Sequence, residues 1–389
     1  MADQTGTSSP SRIYLNNAAT SWPKPPEVLE EVSRCLKVPF AEHGRSTAGG
    51  AVDYPSETRS ALARFFCAEK PEHFIFTQNA TDSLNLLIHG FVQRNPAPFH
   101  TITTDLDHNS VLRPLHTLAG EGRITLSIVA SDDGYVTLPD VRKAIRPETR
   151  LIVMTHGSNV LGTLQNLRPI AEYCAANDIF FVADGAQTAG QVPVSLAEIP
   201  ASAFVFTGHK ALFGIPGIGG FWLRDPDTIL PVKQGGTGTD SRTLTQPEGM
   251  PQRFEAGTHN YPGIASLLAG IRYIEREGLD RICRRGHDLT SLFIREIAGE
   301  RNIALYTPAP DLPVISFNIR NLDNDDAGYI LAKAYGIICR TGLHCAPLIH
   351  DRIDGGKGCI RVSFSHMTTS DEIRQAAAAV REVAEGADR

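Results

Sequence analysis

Short, nearly all-apolar runs alternate with amphipathic stretches through most of this chain, and that alternation restricts the fold more than any other feature. Phe74-Ile75-Phe76-Thr77 is followed by a helical pattern from about Thr81 to Val92. Thr101-Ile102-Thr103 precedes a helix starting near Asn109. Leu151-Ile152-Val153-Met154 and Ile179-Phe180-Phe181-Val182 bracket a helix near Arg168 to Asn177, and Phe204-Val205-Phe206 and Gly220-Phe221-Trp222-Leu223 then follow closely. A strand with one wet face alternates polar and apolar residues, whereas a strand apolar throughout is buried on both sides. The pattern therefore predicts a mostly parallel sheet with helices on both faces. After about Gly263 the character changes. Helical patterns over Ile264 to Glu277 and Leu279 to about Gly299 lead into strand candidates at Ile303-Tyr306, Val314-Asn318, Ile337-Arg340 and Cys359-Phe364, with a last helix from Ser370. That part reads as a smaller α+β domain. Pro308-Ala309-Pro310 and Asp354-Gly355-Gly356-Lys357-Gly358 read as loops.

At 389 residues the chain is long enough for about two domains, and 42% hydrophobic with 21% charged residues describes an ordinary globular protein. A net charge of -6 argues against nucleic acid or an anionic membrane surface as the main partner. Met1 to Arg12 form a polar tail without an apolar signal core, and no run approaches the roughly 18 apolar residues of a membrane helix. A cytoplasmic protein is expected. The seven cysteines (Cys35, Cys67, Cys174, Cys283, Cys339, Cys345 and Cys359) are odd in number and lack CxxC spacing. They fit a reducing compartment and predict no metal site.

In a parallel α/β sheet ligands gather at the carboxyl ends of the strands. The polar groups expected there are Asn79-Ala80-Thr81, Asp107-His108-Asn109, Thr155-His156-Gly157-Ser158-Asn159, Asp184-Gly185-Ala186-Gln187 and Thr207-Gly208-His209-Lys210. Five successive strand ends thus deliver polar or ionisable groups to one edge. A lysine at the end of a buried strand is costly unless it is used, because desolvation lowers its pKa and frees the amine for Schiff-base chemistry. A strand-end carboxylate such as Asp184 complements it: together they suit pyridoxal phosphate, the lysine carrying the aldehyde and the aspartate keeping the pyridine nitrogen protonated. Thr81, at a helix start, and Thr207 and His209 beside the lysine offer donors for a phosphate. No GxGxxG follows the first strand, and Gly214 to Gly220 has the wrong spacing, so a dinucleotide is excluded.

Seven segments carry a resemblance to a known family: Tyr14-Leu15-Asn16-Asn17-Ala18-Ala19-Thr20, Ser158 to Thr163, Asp184 to Gln187, Gly208-His209-Lys210, Phe254 to Thr258, Arg340 to Cys345, and Arg361-Val362-Ser363. In order and nearly end to end, the chain resembles a fold-type I pyridoxal phosphate enzyme of the class V aminotransferase group, in its cysteine desulfurase and selenocysteine lyase branch. The resemblance implies a tail at 1–14 joining the small domain, a large cofactor-binding domain at 15–262 and a small α+β domain at 263–389. It implies a homodimer with active sites at the subunit interface, Thr258 reaching the phosphate from the other subunit. Lys210 would be the Schiff-base lysine and proton shuttle, Asp184 the partner of the pyridinium, Gln187 the partner of the ring hydroxyl, and His108 would stack on the ring. The phosphate would fall to Ala80, Thr81, Thr207 and His209. Asn159 would touch cofactor or substrate, with a turn-forming asparagine as the competing reading. Arg361 would capture the substrate carboxylate bidentately, near Ala18, His43 and Arg45.

Cys345 separates sulfur chemistry from transamination. It lies in the turn-rich Arg340-Thr341-Gly342-Leu343-His344-Cys345-Ala346-Pro347, where Gly342 and Pro347 bracket a candidate mobile segment and Arg340 and His344 would favour a thiolate. The resemblance implies attack of Cys345 on the sulfur of cysteine, or the selenium of selenocysteine, leaving alanine and a persulfide, with a protein among the candidates to accept the sulfur. Leu343 stands where the better-known members of the branch carry a second histidine, which leaves physiological substrate and acceptor open. The rival readings are a cyst(e)ine C–S β-lyase, an aminotransferase or an epimerase, none of which needs Cys345, and a regulator that binds the cofactor without turnover.

Overall fold

The computed structural model describes residues 12–38, 52–239 and 241–387. The first part of the chain runs through Ile13–Tyr14 (β1), Pro26–Cys35 (α1), Tyr54–Phe65 (α2), Phe74–Thr77 (β2), Ala80–Arg94 (α3), Phe99–Thr104 (β3) and Asn109–Gly120 (α4). Then come Ile124–Val129 (β4), Leu138–Ala144 (α5), Thr149–Thr155 (β5), Leu167–Ala176 (α6), Phe180–Asp184 (β6), Ala203–Thr207 (β7) and Gly219–Leu223 (β8). The rest comprises Tyr261–Glu277 (α7), Leu279–Ile297 (α8), Ile303–Leu305 (β9), Val314–Ile319 (β10), Asn324–Tyr335 (α9), Ile337–Ile338 (β11), Pro347–Ile353 (α10), Ile360–Ser363 (β12) and Ser370–Gly386 (α11).

Among the described residues the main sheet has seven strands in the order β2-β8-β7-β6-β5-β3-β4. The apolar runs sort by the two-residue period of a strand. Leu151, Val153, Phe180, Val182, Val205 and Phe221 face α3 and α4 through Leu84, Leu87, Ile88, Phe91, Val111 and Leu115. Their neighbours Ile152, Met154, Phe181, Ala183, Phe204 and Phe206 face the other way, onto Leu62 and Phe66, Ile170 and Cys174, and Ile264, Leu268 and Ile271 of α7. Both faces are covered, as the uniformly apolar strands require.

The β3, β4, β5, β6 and β7 strands pair in parallel, but β8 runs antiparallel to β7 and β2. The connection from Thr207 to Gly219 is too short for a crossover helix, so the chain must turn back. That short connection contains Lys210. Where β8 inserts, a Cβ on Gly220 would sit 2.4 Å from the Ile75 carbonyl oxygen, so only glycine fits. Because β8 is reversed relative to both neighbours, β2 again points its carboxyl end to the common edge. Strand order reverses between β3 and β5, where an open sheet leaves its crevice.

The second sheet, β12-β10-β9, is antiparallel. Ile315, Phe317, Ile360 and Val362 pack there with Leu289 and Phe293 of α8, Leu331 of α9 and Ile373, Ala377 and Val380 of α11. The strand expected at Ile337-Arg340 does not join this sheet. Only Ile337 and Ile338 are extended, pairing in parallel with Ile13 and Tyr14, while Arg340 bridges to Arg361. The sequence pattern marks no element at β1, α1, α2, β4, α5, α9 or α10. The edge strand β4 has exposed and half-buried residues between its buried ends and was not a wholly apolar run. No helix was recognised at Pro347, although proline is favoured in a first helical turn.

Helix α7 lies against the segment after Lys210: a Cβ on Gly270 would fall 2.0 Å from the Leu212 carbonyl oxygen. Gly270→Ala is expected to lower thermal stability by about 1–3 kcal/mol through overpacking. Gly120→Ala, at an exposed position with nothing within 4 Å of the added carbon, should leave it unchanged or raise it slightly. Paired melting curves check the contrast.

Candidate active site

Five strand ends meet at one cavity of about 320 Å³ lined by Ala18, Ala80, Thr81, His108, Asn159, Asp184, Gln187, Thr207, His209, Lys210, Arg340, His344 and Arg361 among others. Lys210 follows β7 on the Thr207–Gly219 connection, and its backbone is anchored by the segment after β1. Ser21 Oγ donates to the Lys210 carbonyl at 2.8 Å, and Thr20 Oγ1 and Lys24 Nζ donate to that of His209 at 3.0 and 2.8 Å. Burial lowers the Lys210 ammonium to about 8; Asp184 opposes the shift, and Arg361 and Arg340 add to it. Asp184, at the end of β6, is 4% exposed and accepts from the Ala186 N–H at 3.0 Å. Burial raises its pKa against the Ala186 hydrogen bond and the charge of Lys210. Beneath the site lies Asp107, held by the Thr103 and Thr104 hydroxyls and the Thr104 N–H at 2.7–2.9 Å and pushed by burial to about 7.

His108 is both a helix cap and a wall of the cavity. Its Nδ1 accepts from the Ser110 N–H at 3.0 Å, capping α4. Burial, then Lys210 and Arg340, depress it to about 4, so it is neutral at pH 7. His209 is depressed to about 4 by burial and Lys210. Gln187 Nε2 donates to the Ala18 carbonyl at 3.1 Å, and Ala18 N donates to Ser363 Oγ at 2.8 Å.

The donor set suits a phosphorylated aldehyde. Thr207 Oγ1 is buried without a partner among the described residues, a cost that an incoming acceptor would remove. Ala80 and Thr81 open α3, and their N–H groups have no acceptor within the helix; Asn79 Oδ1 already takes the Asp82 N–H. A helix N-terminus, two hydroxyls and a neutral imidazole thus border the cavity near the lysine.

Arg361, on β12, is 1% exposed. Its Nη1 donates to the Asn159 carbonyl at 2.9 Å and its Nη2 to Asn16 Oδ1 at 3.2 Å, while Nε has no partner among the described residues. Among the described residues it has no carboxylate in ion-pair contact, and burial followed by Arg340 lowers it to about 10. A buried cation held only by neutral acceptors is poised for an anion. Asn16 was not singled out for this; the Asn16-Asn17 doublet after β1 was the available signal.

The Cys345 loop is held by contacts from two strand ends. The Cys345 carbonyl accepts from the Asn109 N–H at 2.7 Å, the His344 carbonyl from Asn159 Nδ2 at 2.7 Å, and Pro347 begins α10. His344 and Cys345 both have positive φ, 47° and 61°, which turns the chain sharply. Arg340 Nη2 donates to Cys345 Sγ at 3.3 Å. His344 supplies no charge to the thiol. Its ring is buried with Nε2 3.0 Å from the Cys359 carbonyl oxygen, and burial plus nearby Arg361 pushes it to about 2. Thr258 is exposed and lines other cavities, with Gly257 and His259, and does not reach that of Lys210. His43 and Arg45 lie outside the described residues.

A sequence profile described as aminotransferase class-V matches residues 13–375. The chain is 31% identical over 391 aligned positions to a protein of Mycolicibacterium paratuberculosis called "Probable cysteine desulfurase", covering 96% of this chain but 56% of that relative; it spans 62% of a similar Mycobacterium leprae relative. A Salmonella agona protein called "Cysteine desulfurase" is 30% identical over 371 positions, with 92% of this chain and 90% of the relative covered. The apo structure of a cysteine desulfurase from Thermococcus onnurineus superposes with a TM-score of 0.90 at 31% identity, over 96% of this chain and 95% of that one. No described helix is long and apolar enough to cross a membrane.

Lys210 carries a sign-definite pH effect. An unfolded lysine titrates near 10.5 and the folded one near 8, so between these values the folded chain binds fewer protons and stability rises with pH; below 8 the penalty is fully present. In cofactor-free protein Lys210→Met is therefore expected to raise stability at pH 7 by on the order of 1–3 kcal/mol, the gain shrinking as pH rises from 8 to 10.5. Denaturation of both proteins across that range measures it.

Proposed function

The chain belongs to the aminotransferase class-V family, and on that footing we propose that it is a pyridoxal-phosphate-dependent cysteine desulfurase or selenocysteine lyase, releasing L-alanine and leaving a persulfide on Cys345. The observation that carries this reading is Cys345 Sγ under the Arg340 guanidinium at 3.3 Å, on a loop docked at the cavity that holds Lys210, Asp184 and Arg361. Relatives called cysteine desulfurase at about 30% identity over most of the chain support it.

Lys210 would hold the cofactor aldehyde, Asp184 its ring nitrogen, Gln187 its ring hydroxyl, and His108, neutral and partly buried, would stack on the ring. Ala80, Thr81, Thr207 and His209 would hold the phosphate, joined by Thr258 of the partner subunit in a homodimer; within one chain Thr258 stands apart from the cavity. Pyridoxal phosphate, when bound, supplies an aldehyde for the substrate amine and a ring that withdraws electrons from the substrate Cα.

Arg361 binds the α-carboxylate of a small amino acid through charge-assisted hydrogen bonds, with Asn159, Ala18, His43 and Arg45 around the substrate. Lys210, titrating near 8, takes the Cα proton and returns one. The Cys345 thiolate attacks the substrate sulfur: a sulfur–sulfur bond forms as the Cβ–S bond breaks, and Cβ gains a proton to become the methyl group of alanine. Cysteine and the enzyme thiol become alanine and the enzyme persulfide, so no outside oxidant or reductant enters. A protein thiol is a candidate acceptor, and with no membrane-crossing helix in the described residues a cytoplasmic setting fits.

Purified protein given cysteine and a reductant should release alanine and sulfide in equal amounts, and Cys345→Ala should abolish both while keeping the visible cofactor band. Pyruvate and ammonia as products would overturn the proposal. Arg361→Met should raise KM for cysteine roughly 100-fold, about 3 kcal/mol of lost charge-assisted hydrogen bonding, as steady-state kinetics would show.

A further inference from the structure

Behind the Cys345 loop, three side chains that the proposed reaction does not use converge. His350 on α10 and Cys359 before β12 are wholly buried, and His344 is 2% exposed. The His344 and His350 ring centroids are 5.6 Å apart, and each of the three residues offers a donor atom within 4.8 Å of the other two. Neighbours hold one nitrogen of each ring. His344 Nε2 lies 3.0 Å from the Cys359 carbonyl oxygen and 3.4 Å from Cys359 Sγ, and His350 Nδ1 lies 2.6 Å from Asp354 Oδ2. The remaining nitrogens, His344 Nδ1 and His350 Nε2, are buried with no partner among the described residues, as is Asp354 Oδ1. Orphaned polar atoms at this burial are costly. A carboxylate that fixes one imidazole nitrogen and leaves the other free is also the arrangement that orients histidines on metals.

We propose that His344, His350 and Cys359 form a binding site for one zinc-class divalent metal ion, with Asp354 orienting His350. Two imidazoles and one thiolate make a borderline-soft donor set suited to such an ion. Binding exchanges the Cys359 thiol proton for the metal and releases the proton to solvent, with no change of oxidation state. The spacing, five residues between the histidines and eight from His350 to Cys359, matches no short zinc motif; the site arises because the loop, α10 and β12 fold together. Since His344 immediately precedes Cys345, an ion there would pin the turn that holds the reactive sulfur against Arg340.

The cluster is closed, so the metal is best loaded during synthesis. Full-length protein expressed in zinc-supplemented medium is expected to carry about one zinc per chain. X-ray absorption should show one sulfur at ~2.3 Å and two nitrogens at ~2.0 Å. Metal content should fall at least tenfold in Cys359→Ser and His350→Gln but persist in Cys345→Ser. The wild-type spectrum stands alone if either variant fails to fold. Metal well below one per chain, a spectrum without sulfur, or zinc lost in Cys345→Ser and retained in Cys359→Ser would overturn the proposal.

Discussion

Burial of the main sheet on both faces is the constraint from which the rest follows. Leu151 and Val153 pack one way and Ile152 and Met154 the other, leaving no polar face along the middle of β5. The ionisable groups of the site stand at the carboxyl ends of the strands, and the return of β8 through a short connection keeps β2 and β7 pointing to the same edge. The chemistry is concentrated there because the interior of the sheet excludes it.

Concentration has an energetic consequence. Asp184, Lys210 and Arg361 are desolvated within one cavity, and the burial that stabilises the sheet pushes each toward its neutral form. The hydrogen bonds they do make, from Ala186 to Asp184 and from Arg361 to Asn159 and Asn16, restrain geometry and leave room for an incoming partner. These buried groups are thus a source of instability that the apolar cores offset, and an incoming anion beside Arg361 would relieve part of it.

The Cys345 loop makes a different point. Arg340 beside Cys345 was readable from their proximity in the chain. The docking of the loop was not, because it depends on Asn109 and Asn159 from remote strand ends. Nor was the neutrality of His344: adjacent residues in a sharp turn point apart, and its ring is drawn toward Cys359 and His350 while Cys345 faces Arg340.

By itself the sequence determined the layered architecture and which residues stand at the sheet edge, because strand burial and side-chain period are local properties written in Phe74 to Thr77, Leu151 to Met154 and Phe204 to Phe206. It does not mark the edge strand β4, which is not wholly apolar, or helix α10, whose Pro347 start also suits the end of a turn-rich loop. Only the tertiary structure decided the direction of β8, the holding of Arg361 by Asn16 and Asn159, and the meeting of His344, His350 and Cys359. Each depends on contacts between segments far apart in the chain or on where a side chain points after a turn, and neither is carried by any local pattern of residues.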